Sequence, residues 1–407
     1  MSEHAIKRLG HQGDGIADGP VFASLTLPGE IVSGNLDGSR LNDVRIVKPS
    51  AQRVAAPCRH FKQCGGCLLQ HASDDFVAKW KIDVVQQALR AQGLDAEFRP
   101  IQTSPPKTRR RATFSARRTK KGAMVGFHQR ASGNLVEISE CHVVHPSLLA
   151  AIPLIESLTE IGGSRKAELS VTVTSSAAGL DLFVMGGKPM NTQLFQLLAQ
   201  LTENHKVARL FWEGEAVAIS QPPTQRFGRA DVVPPPGAFL QATTHGESAL
   251  LSAVNEICSE ANFVADLFSG CGTFTLPLAE NVEVHAVEGE VDMLSAMDKG
   301  WRNANDLKKV SHEARDLFRR PLLADELRSF DVIVIDPPRA GAEAQVKEIS
   351  KSRVSTIAYV SCNPVSFARD SAVLVAAGYN LNWIQVVDQF RWSPHVELVA
   401  EFTRNLT

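Results

Sequence analysis

The 407-residue sequence predicts an α/β protein in three parts: a small amino-terminal β-barrel, a central β-rich domain, and a carboxy-terminal domain on a Rossmann-like parallel sheet. Three observations predict it. From residue 233 onward, short apolar β-prone runs alternate with helix-like segments, as a parallel sheet with crossover helices requires. Residues 1 to about 50 instead carry short β-prone runs (Pro20 to Leu25, Glu30 to Asn35, Asp43 to Val47) separated by Gly, Asp and Pro, the pattern of a small barrel. The length exceeds what one hydrophobic core organises, and an apolar content of 44% is ample for several. Boundaries fall at 1–52, 53–232 and 233–407, with the helix at 73–93 free to pack on the last part, whose start is the proline run Val232 to Gly237, a linker or rigid entry.

The amino terminus has no apolar segment after its charges, and no run of eighteen apolar residues occurs, so neither secretion nor membrane spanning is expected. The expected location is the cytoplasm. Seven cysteines, an odd number, argue for metal or catalytic use over disulfides in a reducing compartment. A formal net charge of -1 hides an asymmetry: Lys107 through Arg130 carries nine Lys or Arg and no acid. Basic and apolar residues alternate there and Phe114 and Phe127 interleave, as in strands that turn one face to a core and the other to the phosphates of RNA.

Cys58, Cys64 and Cys67 stand in a C-x5-C-x2-C arrangement, and Cys141 follows some seventy residues on. Four soft thiolates suit zinc or iron and sulfur. The spacing matches neither two zinc knuckles nor the radical-enzyme pattern, and a [4Fe-4S] cluster is the reading favoured over scattered structural cysteines. Residues 73 to 93 form a helix, with Ser73 as N-cap, acids in the first turn and a terminal glycine. Its Phe76, Val77, Trp80, Val84, Val85 and Leu89 recur at helical spacing and are core. Residues 131 to 230 offer strands at Leu169 to Thr174 and Leu180 to Met185, a helix over Thr192 to Thr202, and no motif.

In the last part, a strand from Phe263 runs into a Gly-x-Gly turn (Gly270, Gly272) and a helix opening near Thr273. Such a turn lets a ligand approach backbone while helix amides offer donors. The next strand ends at Glu288, where a carboxylate can hold ribose hydroxyls. The turn alone leaves a nicotinamide dinucleotide, S-adenosylmethionine and a plain tight turn all open, although the missing third glycine disfavours the dinucleotide. Another strand ends in Asp336-Pro337-Pro338-Arg339, whose successive prolines make a rigid turn holding an acid and a guanidinium. Residues 356 to 370 set an apolar run before Ser361-Cys362-Asn363-Pro364, placing a thiol at the carboxyl end of a strand, where open α/β sheets keep their chemistry. A buried inert cysteine would read the same way. As a nucleophile it needs its thiolate form.

Taken together, the four cysteines, Phe239-Leu240-Gln241, DLFSGCGTF, Glu288, DPPRAG, SCNP and the terminal HVE resemble the RNA uracil-5 methyltransferase family across nearly the whole chain. The resemblance implies a class I methyltransferase domain, a TRAM-like (OB-like) RNA-binding barrel at the start, and 5-methyluridine as product. It makes Cys362 the nucleophile and Glu397 the general base. S-adenosylmethionine would lie among Gln241, Phe268, Gly270, Gly272, Thr273, Glu288, Asp316 and Asp336, and the [4Fe-4S] cluster on Cys58, Cys64, Cys67 and Cys141. Barrel plus cluster resembles the 23S rRNA enzymes most, with tRNA as the alternative substrate, no membrane partner and a monomeric state. Asp-Pro-Pro-Arg stands where amino-group methyltransferases carry Asn-Pro-Pro-aromatic, which favours carbon as methyl acceptor. Departures are Ser269 for cysteine, Thr273 for asparagine, and Arg391 for proline. Two competing readings are an iron–sulfur RNA-binding protein with an inactive methyltransferase fold, and a dinucleotide-dependent oxidoreductase.

Overall fold

A computed structural model describes residues 2–203, 205 and 207–405. Strands β1 (Glu3–Leu9), β2 (Gly15–Ala17), β3 (Val21–Ala23), β4 (Ile31–Asp37) and β5 (Arg40–Lys48) close into a barrel in the order β1-β2-β3-β5-β4. Ile6, Ala17, Val21, Ala23, Val32 and Leu41 fill it, and closure removes the free edges that would otherwise template aggregation. The sequence reading missed β1, where Lys7 and Arg8 interrupt the apolar alternation.

Helix α1 (Asp74–Arg90) starts where Ser73 caps it, its side chain accepting from the Phe76 amide. It leads into β6 (Glu97–Thr103). Then come β7 (Arg111–Arg118), β8 (Ala123–His128), β9 (Leu135–Glu137), α2 (Pro146–Leu149), α3 (Ile152–Gly162), β10 (Glu168–Ser176), β11 (Gly179–Met185), α4 (Thr192–Glu203), β12 (Val207–Trp212) and β13 (Glu215–Ile219). These strands form a seven-stranded sheet in the order β13-β12-β11-β10-β7-β8-β9, whose core includes residues of α3 and α4. β14 (Gln225–Phe227) and β15 (Ala230–Val232) pair as a small hairpin.

The remaining elements are α5 (Thr244–Ile257), β16 (Phe263–Leu267), α6 (Thr275–Leu278), β17 (Glu283–Glu288), α7 (Val291–Asn303), β18 (Val310–Ala314), α8 (Ala324–Leu327), β19 (Val332–Ile335), α9 (Glu343–Lys351), β20 (Thr356–Ser361), α10 (Pro364–Ala376), β21 (Asn380–Asp388) and β22 (Glu397–Thr403). They build an eight-stranded sheet in the order β18-β17-β16-β19-β20-β22-β21-β6. Strands β16 to β20 pair in parallel, and the inner β16, β19 and β20 are largely apolar because helices cover both faces, each face holding its own core. Strand order reverses between β16 and β19, and ligands bind at the carboxyl edge of such a switch point. β22 runs antiparallel to β20, with Leu398 opposite Ser361. That reversal brings the start of β22, Glu397, to the edge where β20 ends in Cys362.

Within the span 53–232, β6 pairs in parallel with β21, and α1, the helix expected to be able to pack on the last domain, lies beside it on the carboxy-terminal sheet. One expectation needs correction: the basic run is not uncompensated. Arg110 pairs with Glu247, Arg117 with Glu168 at 3.0 Å and Arg130 with Asp14 at 2.6 Å. Phe114 is fully buried and stacks on Phe127 with centroids 5.2 Å apart, so these rings are core. Lys107, Lys120 and Lys121 remain exposed. Among the described residues, no helix is long and apolar enough to cross a membrane.

Candidate functional site

After β16 the chain turns through Phe268 (φ 63°), Gly270 (φ 56°) and Gly272 (φ 88°). A left-handed backbone suits glycine, and Gly272 also lacks room for a side chain, since a Cβ there would stand 2.7 Å from Met297. Beside Gly270 the space is open. Phe268, not a glycine, stores strain of about 1–3 kcal/mol in that conformation. Thr273 follows, half-buried, in the turn before α6, which opens two residues later than expected.

The Gly270 amide donates to Glu288 Oε2 at 2.9 Å, and the amides of Gly289 and Glu290 donate to Oε1. Asp316 accepts from the Phe318 amide at 3.0 Å, and the Phe318 ring stands 5.4 Å from Phe268. Phe318, half exposed, is a residue the motif reading did not include. Beneath the turn, Asp266 is fully buried, accepts from Thr275 at 2.5 Å, and keeps its other oxygen without a partner, as does the buried Ser269 hydroxyl. Burial pushes the Asp266 carboxyl up to about 7. Open space at a strained turn, flanked by two aromatic rings and orphaned polar atoms, fits a nucleoside-bearing ligand.

Asp336 and Cys362 end neighbouring strands β19 and β20. Asn363 ties their turns together: its Nδ2 donates to the Arg339 carbonyl at 2.8 Å, while its Oδ1 caps α10 by accepting from the Val365 amide. Pro364 then occupies the first helical position, where no amide is needed. Arg339 donates to His395 at 2.9 Å. Cys362, Arg339 and His395 line a cavity of about 460 Å³ that Gln87 of α1 and His11 and Gln12 of the barrel help to close. Burial, then Glu397 and Asp336, push the Cys362 thiol up to about 11, with Arg339 opposing. Its neighbours therefore do not pre-form a thiolate.

Glu397 is 3% exposed, and burial pushes its carboxyl up to about 7 against the opposing Gln389 and Arg339. Asp336 is raised by burial and by Glu397. Gln389 donates to Glu397 Oε2 at 2.7 Å and to Gln241 Oε1 at 2.6 Å, joining the expected base to an expected cofactor contact. The loop between β21 and Glu397 is held from α1. Fully buried Lys81 donates to Asp388 at 2.5 Å, to the Phe390 carbonyl at 3.1 Å and to the His395 carbonyl at 2.9 Å. Arg391, where the family pattern has proline, bonds Asp74 at 2.5 Å and lies over Trp392. Motif reading missed Lys81, Gln389 and His395. A lysine on the apolar stripe Val77-Lys81-Val85-Leu89 was a usable signal for the first, since a buried charge demands a partner.

The four cysteines Cys58, Cys64, Cys67 and Cys141 line one cavity of about 280 Å³, with Arg109 and Arg111 in its wall. Among the described residues, no three Cys, His, Asp or Glu side chains are gathered as a single metal ion would require. Gly65 fits against the turn after β8, where a Cβ would meet the His128 carbonyl at 2.9 Å. The cysteine segment touches the loop before Glu397: the Leu68 and Leu69 amides donate to the Trp392 carbonyl, and Arg109 lies over the Phe390 ring.

Comparison with known proteins places this arrangement. Residues 235–404 match the family model for tRNA (uracil-5-)-methyltransferase. An uncharacterized RNA methyltransferase of Brucella suis is 42% identical, covering 98% of this chain and 97% of its own. The 23S rRNA (uracil(1939)-C(5))-methyltransferase of Shewanella piezotolerans is 32% identical, covering 98% of this chain and 94% of its own. The solved structure of a Pyrococcus abyssi tRNA (uracil-54, C5)-methyltransferase, in complex with S-adenosyl-L-homocysteine, superposes with a TM-score of 0.78. At 23% identity, covering 98% of this chain and 99% of that one, it shows the shared class I methyltransferase fold. With relatives at 32% and 42% identity spanning nearly its full length, and with a thiol, an acid and a glycine-rich turn at one sheet edge, the chain belongs to the RNA (uracil-5-)-methyltransferase family.

Proposed function

We propose that this protein methylates carbon 5 of a uridine in 23S rRNA, using S-adenosylmethionine, through a covalent bond between Cys362 and carbon 6. The observation that carries the reading is the meeting of Cys362, at the end of β20, with Glu397, at the start of antiparallel β22, beside a cavity open to solvent. The ribosomal substrate is supported by the named relative at 32% identity. Transfer RNA is the second reading, favoured by the description of the matching family model.

Carbon 5 of uracil is a weak nucleophile. Addition of the Cys362 sulfur to carbon 6 turns the ring into an enolate whose carbon 5 is nucleophilic. The thiol starts neutral, so its proton passes to solvent in the open cavity as the bond forms and returns to the sulfur when it departs, which leaves Glu397 ionised for the later step. S-adenosylmethionine supplies the methyl group, held among Gln241, Phe268, Gly270, Gly272, Thr273, Glu288, Asp316 and Asp336. Glu397 then removes the carbon 5 proton and Cys362 departs. An acid with proton affinity near neutrality suits that task, because a useful base is both ionised and basic at working pH. A stacked uridine cannot enter the cavity, so the base is flipped out of its RNA. Arg339 stands in the cavity wall as a donor to the developing enolate oxygen.

A [4Fe-4S] cluster is the occupant we favour over a single ion, since each thiolate of a cluster binds a different iron and Cys58, Cys64, Cys67 and Cys141 line one cavity. Arg109 and Arg111, in the cavity wall, would supply the positive charge that an anionic cluster calls for. Its place in the scheme would be structural or RNA-orienting, beside the Leu68–Leu69 segment whose amides hold the Trp392 carbonyl. We assign the protein to the cytoplasm, as a monomer whose TRAM-like barrel faces RNA. Mapping 5-methyluridine in 23S and transfer RNA from cells with and without the gene tests the reading. Loss of one ribosomal 5-methyluridine is expected, and unchanged 5-methyluridine in both RNAs would overturn it.

A further inference from the structure

We infer that Gln389 is the positioning residue of the reaction, holding Glu397 and Gln241 as one hydrogen-bonded unit and keeping Glu397 in its carboxylate form. The inference rests on the proposed function and goes beyond it, since neither residue 389 nor its partners need be joined for a thiol and a base to work. The orientation of the Gln389 amide is determined by its surroundings. Its Oε1 accepts from the Ala242 amide at 2.8 Å, and a backbone N–H can only donate, so Nε2 must face the other side. There it spends both protons, one on Gln241 Oε1 and one on Glu397 Oε2.

Packing locks the side chain in that pose. Gln389 is 1% exposed, and Gly246 in the first turn of α5 sits so close that a Cβ there would stand 2.6 Å from Gln389 Cβ. A donor fixed toward a buried carboxylate favours its ionised form. The other groups facing Glu397 are Asp336 and Cys362, which oppose its ionisation when charged, and Arg339, which favours it. Asp388, one register position away on β21, has its charge met by Lys81. Among the described residues, Gln389 is thus the neutral group that tips Glu397 toward base, and it does so while bonded to the cofactor side of the site.

The test is single-turnover resolution of the RNA–protein adduct between pH 5.5 and 9.5 in wild type and in Gln389→Met, which keeps length and volume but donates nothing. The midpoint should rise by about one pH unit, with resolution at pH 7 about fivefold slower and recovery at high pH. Adduct formation on RNA carrying 5-fluorouridine, where no carbon 5 proton can leave, should stay within a few-fold because it precedes that step. Gln389→Asn, too short to span both partners, keeps the test open should the Met variant not fold, and should shift the midpoint in the same direction. A wild-type midpoint in the folded variant, or a loss equal at every pH, overturns the role of Gln389. Failure of the wild-type protein itself to form 5-methyluridine would instead overturn the proposed function.

Discussion

Replacing Glu397 by Gln separates what this residue costs the fold from what it does for the reaction. The carboxyl is almost wholly buried, and its proton affinity rises from the usual 4.5 to about 7. The folded chain therefore binds this proton more tightly than the unfolded chain does. A group of that kind costs stability where it is ionised: the cost is full above pH 7, shrinks as pH falls through 7, and is gone below about 4.5. The gap amounts to about 3 kcal/mol. Glutamine removes it and can still accept the Gln389 bond through its own oxygen. Urea unfolding at a series of pH values should find Glu397→Gln more stable than wild type by about 3 kcal/mol at pH 8, the advantage vanishing near pH 4.5. Incubated with substrate RNA and methyl donor, the same variant should accumulate a covalent RNA–protein adduct that survives a denaturing gel, since nothing removes the last proton. Equal stability across the pH range would refute the burial argument, and absence of the adduct would remove Glu397 from the base role.

Cys362→Ala should abolish 5-methyluridine formation, read by nucleoside mass spectrometry, while RNA affinity in a filter-binding assay stays within a few-fold; appreciable turnover would argue against covalent chemistry. Lys81→Met strands the buried Asp388 carboxylate and two carbonyls, and should cost about 3–5 kcal/mol in chemical unfolding. Much of that loss should return in Lys81→Met/Asp388→Asn, and a single variant as stable as wild type would contradict the anchoring role. Cys141→Ser should lower iron per chain and expose the loop around Trp392 to protease; full iron with an unchanged digest would detach Cys141 from the cavity's occupant.

Local chemistry explains why so much was readable. Glycines at Gly270 and Gly272, the paired prolines at 337 and 338, and Asn363-Pro364 each meet a backbone demand at a strand end, and such demands are written in adjacent residues. The alternation of apolar runs and helical stretches after residue 233 likewise follows from the parallel sheet, whose strands must be apolar on both faces. Where the reading failed, the deciding partner was remote. The Lys107 to Arg130 run looked like a free basic face because Glu247, Glu168 and Asp14, which neutralise part of it, lie on other elements. Arg391 looked like a damaged motif until Asp74, more than three hundred residues earlier, stood beside it.

By itself, then, the order of residues determined which strand ends could carry a nucleophile, an acid and a cofactor turn, because each depends on conformations a few residues long. Only the tertiary structure decided that Glu397 meets Cys362, through the antiparallel insertion of β22 beside β20. It alone joined Gln389 to both Gln241 and Glu397, and set Lys81 beneath the loop. The physical reason is burial: once water is excluded, each polar group must find its partner inside the protein, and that partner is chosen by packing rather than by proximity along the chain.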